Sequence, residues 1–201
     1  SFLTDAYTLI CLDGPGVLVK NEGYAQLVST FGHFCHYHAK VESGGMINMS
    51  NCTTDFGRFG LIADGKSTSS IFSSTALVAK QGSGKTVHLS AGSTGWRGQT
   101  SPAPADHMVA EFTNDGVTTV LNIDSVEKLE PGDADHTGST SQNEYKVTFA
   151  TDPGEVSVTN IFYFYLRSTI TTGGHVFEFS GSGTDYRAHP DNGGIPIESN
   201  Q

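Results

Sequence analysis

The chain has 201 residues, 24 of them glycine, with 16% charged residues and a formal net charge of -10 at pH 7. Such a composition favours turns and short strands over helices, and no run carries the apolar period of an amphipathic helix. The 11 Lys plus Arg are scattered, which excludes a nucleic-acid groove built on clustered basic charge; no stretch nears the ~20 apolar residues of a membrane-spanning helix.

In chain order, the opening SFLTDAYTLICL lacks the charged start and small-residue cleavage site of a signal peptide. Residues 23–43 and 45–65 are then imperfect copies at a spacing of 22: Gly23 falls on Gly45, Tyr24 on Met46, Leu27 on Met49, Phe34 on Phe56, Tyr37 on Phe59, Ala39 on Leu61 and Val41 on Ala63. A fainter copy precedes them, with Val17 and Val19 placed 22 residues before Ala39 and Val41. Self-similarity at this period marks stacked units that cannot bury an apolar face alone. Within the copies the apolar residues alternate, which is the period of a half-buried strand, so Tyr37, Phe59 and Leu61 are expected to face inward. So few copies predict that the stack continues in more chain or in partner chains.

The polar tract KSTSSIFSST marks the exit from the copies. Six strand candidates follow, ALVAK, TVHLSA, HMVAEFT, VTTVLNI, EYKVTFA and SVTNIFYFYL, divided by Gly, Pro and Asp punctuation such as SPAPAD and DPGE. Then TTGGHVFEFSGSG returns to the style of the copies. The expected fold is all-β: short parallel β-helix coils over 1–75, an inserted antiparallel β-sandwich-like segment over 76–170 with a small barrel as the alternative, and a return to coil with an exit loop over 171–201.

Four groups of residues are candidates for chemistry. His36 and His38 in HFCHYH fall on one side of a strand, read as outward because Arg58 aligns with His36; with His33 nearby, three chains on an axis would offer imidazoles to a transition metal. Asp133, Asp135, Thr137, Gly138 and Glu144 occupy the first, third, fifth, sixth and twelfth places of a calcium loop, although Thr140 replaces the usual apolar residue and a strand follows where a helix is required. Asp13, Glu42, Asp55 and Asp64 are candidate acids, and of these Glu42 and Asp64 align on adjacent copies, where close carboxylates could form the acid/base pair of a polysaccharide-cleaving enzyme. Trp96, in GSTGWRG, is either a stacking surface for sugar or an anchor folded onto its own domain. The bland readings are exposed strand histidines, a solvated hairpin and acidic turn residues.

Other motifs carry less. GSGKT (82–86) has Ala79 where a phosphate loop needs glycine, and a strand follows it. The sequons at Asn48 and Asn51 read as polar coil turns. Cys11, Cys35 and Cys52 are an odd number without a pairing motif and read as small thiols.

The two stretches GYAQLVSTFGHFCHYHAKVESGGMINMSNCTTDFGRFGLIADGKS and FYLRSTITTGGHVFEFSGSGTDYRAHPDNGGIPIESNQ together resemble a recurring region of large virion structural proteins of contractile-tailed marine phages, the cyanophage type. The most diagnostic positions are Gly23, Tyr24, Asp55, Phe56, Gly57, Gly60, Leu61, His175, Phe177, Glu178, Gly181, Gly183, Asn192 and Gly193. The resemblance covers under half of the chain. It implies a trimeric, β-helical tail-fibre, tailspike-like or baseplate-associated part of the virion, assembled in the host cytoplasm. Its implied partners are two further copies, other tail proteins and host surface polysaccharide. It implies no catalytic residue and no cofactor.

Overall fold

The computed structural model describes residues 1–92, 103–105, 108–137, 143–158, 160–173, 175–178 and 188–189, and these hold strands, bridges, turns and bends with no helix among them. None of the described residues therefore forms a helix long and apolar enough to cross a membrane.

The first strands are β1 (Phe2–Ile10), β2 (Pro15–Val19), β3 (Tyr24–His33), β4 (Tyr37–Glu42), β5 (Met46–Ser50), β6 (Thr53–Asp55) and β7 (Phe59–Asp64). Two parallel ladders hold them, β1-β3-β5 and β2-β4-β7, with β6 also on β3. Tyr24 pairs with Met46 and Tyr37 with Phe59, so one 22-residue repeat sets the register of both ladders. Val17 on Ala39 and Val19 on Val41 make the faint copy a full member, while β1 meets β3 one residue longer, Phe2 on Ala25.

Ala25, Leu27, Ala39, Val41, Ile47, Met49, Ala63 and Ile170 form the apolar core of these copies. Each fully buried Val, Leu, Ile or Met there is worth roughly 1.5–3 kcal/mol. Leu61 packs at the edge of this core, whereas Tyr37 and Phe59, expected inward, are only half-buried at the starts of β4 and β7.

Three bends recur through the copies, all in the left-handed region. Ala6, Ser29 and Asn51 have φ of 51, 49 and 52°; Asp13, Phe34 and Phe56 have 55, 58 and 52°; Asn21, Ser43 and Gly65 have 54, 51 and 72°. Each bend resets the alternation: Ala25 and Leu27 are buried before Ser29, and Thr30 and Gly32 after it. Glycine is needed where one copy's backbone presses on the next, since a Cβ on Gly57 would stand 2.4 Å from the carbonyl oxygen of Cys35.

A second unit follows, with β8 (Phe72–Thr75), β9 (Thr86–Ser90), β10 (Met108–Asn114), β11 (Val117–Leu129), β12 (Glu144–Phe149) and β13 (Ile161–Leu166). Of the two expectations, sandwich or barrel, the structure is nearer the second: these strands form one antiparallel sheet, ordered β8-β13-β10-β11-β12-β9 and curled into a half-barrel. The long β11 makes the curl. It pairs with β10 through its first half and with β12 through its second, and the register shifts between Ile123 and Ser125. That bulge changes which face points inward, so Leu121 and Ile123 are buried before it and Val126 turns to the same core after it. Stacked rings fill the concave side, Phe72 on Phe164 at 4.6 Å and Phe112 on Phe162 at 4.7 Å.

The chain then returns as β14 (Thr169–Thr172), β15 (His175–Glu178) and β16 (Ala188–His189). β14 lies parallel on β5, and β15 and β16 add antiparallel strands. The chain thus divides into two compact units: Ser1–Thr68 with the chain from Arg167 onward, and Ser69–Leu166. The excursion expected over 76–170 corresponds to this second unit.

Candidate functional site

The surface with the most unusual chemistry lies at the bend shared by Asp13, Phe34 and Phe56. Each copy leaves one strand and enters the next here, and backbone hydrogen bonds tie the copies together: Asp13 N–H to Phe34 O at 3.0 Å, Phe34 N–H to Asp55 O at 3.0 Å, Phe59 N–H to His36 O at 2.9 Å. The bend is therefore a fixed corner of the stack. Gly57 and the buried Cys35 occupy its inner side.

On the outside Leu12, Phe34 and Phe56, spaced 22 apart, are 84, 40 and 69% exposed. The Phe34 and Phe56 rings stack at 5.4 Å with 20° between planes. His33 stands edge-on to both, at 4.1 and 5.2 Å. A bulky residue in the left-handed region costs on the order of 1–3 kcal/mol, and a ring pair returns about 0.5–1.5 kcal/mol. The corner thus holds two phenyl rings toward solvent at a net local cost.

A charged row runs beside the rings. The Asp13 carboxylate Oδ1 lies 3.2 Å from His36 Nδ1 and 3.6 Å from Arg58 Nε, joining side chains from three successive copies. A carboxylate, an imidazole and a guanidinium next to an apolar platform can hydrogen-bond a ligand whose other face is rich in C–H. No family model matches this chain, and no curated protein matches it either.

The structure separates the two histidines that sequence placed side by side. His36 is part of the outer row, but His38 is buried within the stack, 1% exposed. Its pairing explains the correction: Tyr37 and Ala39 are register partners of the neighbouring copies and His38 is skipped. The imidazole turns inward over Gly32, where a Cβ would come within 2.7 Å of the ring, and its Nε2 lies 3.4 Å from Thr30 Oγ1. Burial holds the His38 pKa below the ordinary histidine value. Among the described residues of one chain, no three His, Cys, Asp or Glu side chains form a metal-holding group.

Glu42 and Asp64 are register partners on β4 and β7. Both serve Lys40: Glu42 Oε1 bonds its ammonium and Asp64 adds a favourable field, and together these outweigh the cost of burial and raise the lysine pKa. Lys20 also approaches Glu42, at 4.0 Å. The carboxylates thus sit around a cation.

Of the calcium-loop residues the structure brings Thr137 to Glu144, while Asp133 and Asp135 take other partners. Asp133 accepts from the Glu130 N–H, and Asp135 pairs with Lys146. Glu144 is fully buried and accepts from the Thr137 N–H at 3.0 Å, the Thr137 hydroxyl at 2.6 Å and His88 Nδ1 at 2.7 Å. Burial alone would raise its pKa, but the bonds from Thr137 and His88 prevail and lower it. His88 also borders an open cleft of about 270 Å³, and Lys80 at that cleft is committed to Gly82 O, Gly154 O and Asp152. Gly138, Thr140 and Trp96 lie outside the described residues, as do Gly181, Gly183, Asn192 and Gly193. All three cysteines are free thiols.

In the sequence Asp13 stands only as a candidate acid, and the ridge with its charged row carries no expectation of its own. Its signal was present, two phenylalanines in register beside glycine, but alternation cannot tell an outward ring at a bend from an inward one on a strand. The His88–Glu144 pair, 56 residues apart, leaves no local pattern.

Proposed function

We propose that the chain is a structural component of a phage tail, tail-fibre, tailspike-like or baseplate-associated, in which the 22-residue copies are the coils of a short parallel β-helix and three chains associate about an axis. One observation carries this reading: the same spacing registers two separate parallel ladders, Tyr24 on Met46 and Tyr37 on Phe59. A repeat that closes on itself through three recurrent bends is a unit of a rod, and stacked coils bury a continuous core along its length. The resemblance of the copies to cyanophage virion proteins supplies the setting, the virion tail after assembly in the host cytoplasm. The half-barrel serves attachment to the host. Glu42 and Asp64, both at Lys40, favour a scaffold over a depolymerase.

The test is direct. Antibodies against the chain, applied to cyanophage particles under the electron microscope, are expected to label the tail, and light scattering of the purified chain is expected to give the mass of a trimer. Particles without tail labelling would remove the tail assignment, and a monomeric mass would remove the trimer.

A further inference from the structure

We propose that the ridge Leu12, Phe34 and Phe56, with the Asp13–His36–Arg58 row beside it, is a binding site for a neutral polysaccharide. The rings are already in place: Phe34 and Phe56 stack at 5.4 Å, and His33 braces both from the side. A preset aromatic surface loses little freedom when a ligand lies on it. Each phenylalanine stands at a left-handed bend, φ 58 and 52°, where the equivalent and other bends use Ala6, Asp13, Asn21, Ser29, Ser43, Asn51 and Gly65. The bends accept small residues, and the rings are held outward, away from the apolar core.

The polar row supplies what a sugar's hydroxyls require. Asp13 offers acceptors and Arg58 donors, with His36 at the same carboxylate oxygen as Arg58. Successive copies lie one strand spacing apart, ~4.8 Å, so equivalent contacts recur along the stack and suit a polymer. With the chain at -10, a polyanionic glycan is repelled at long range, and a neutral one is not. A protein partner fits less well, because a stable interface engages roughly 20–30 residues a side and this ridge presents three apolar side chains with His33. The inference rests on the tail reading only for where such a polymer is met, on the host surface.

The purified chain is tested by native electrophoresis in gels cast with dextran, mannan or cyanobacterial O-chain polysaccharide, with dextran sulfate for comparison. Retardation in at least one neutral gel is expected, weakened at least tenfold by Phe34→Asn/Phe56→Asn. Asparagine accepts the left-handed backbone, and the single Phe56→Asn, at a 69% exposed position, keeps the test alive if the double variant does not fold. Val117→Asn, at an exposed position in the half-barrel, should leave retardation unchanged. No retardation in any neutral gel, equal retardation of the Phe56→Asn variant, or retardation by dextran sulfate alone would overturn the site. So would a Phe56→Asn variant that loses oligomer mass, which would make the ridge a contact between copies. Binding by a chain whose antibodies label no tail would keep the site and end the tail reading.

Discussion

Thr169 lies in register beside Met46, a partner 123 residues earlier in the chain. Between them the chain leaves the parallel ladders, builds the half-barrel and comes back; Lys66 bridges Arg167, and the Ser168 N–H bonds Gly65 O at 3.0 Å. The two ends of the excursion are therefore neighbours.

Residues 69–166, expressed alone, should fold, because the unit carries its own phenylalanine-rich core. The remainder, with a short Gly/Ser link from Thr68 to Arg167, should keep its strand content. Circular dichroism and thermal melts check both. A non-cooperative melt of the 69–166 fragment would show that its core does not suffice.

His38 should make the copies sensitive to acid. Its pKa is held below the ordinary 6.5 by burial, so the unfolded chain takes up the proton first as pH falls. Its contribution is present above about pH 6.5 and is lost as pH drops toward the lowered value. Denaturant midpoints measured across that window should fall for the native chain, and His38→Leu should flatten the slope there. An unchanged slope would mean that another group titrates.

Gly57→Ala should destabilise the copies by roughly 3 kcal/mol, the upper range for overpacking, because the new methyl would stand 2.4 Å from the Cys35 carbonyl oxygen. Gly116→Ala meets nothing within 4 Å and suffers only its φ of +78°, a cost of roughly 1–2 kcal/mol. Urea unfolding of the two variants should rank them in that order.

Glu144→Ala should cost about 3 kcal/mol, since removing a buried charged partner strands the groups that faced it, here Thr137 and His88. His88→Ala should cost less, because Thr137 still donates twice to the carboxylate. The lowered Glu144 pKa adds stability above the ordinary glutamate range that is lost as pH falls through the folded value. Chemical denaturation at neutral and acid pH separates the two effects; equal losses for both variants would count against the buried carboxylate as the centre of the cluster.

Alternation and the 22-residue spacing were enough to predict an all-β chain and the partners Tyr37–Phe59, Val41–Ala63 and Glu42–Asp64, because side-chain period and repeat length are local properties of a sequence. They were not enough to orient His38, whose inward turn depends on the space left by Gly32 in another strand. Nor did they choose between a sandwich and one curled sheet, because a bulge at Asp124 has no composition of its own. The ridge of Phe34 and Phe56, the Asp13 row and the Glu144–His88 pair belong to the tertiary structure for the same reason. Each is made by residues from different strands, and only the folded backbone decides which of two faces a side chain takes.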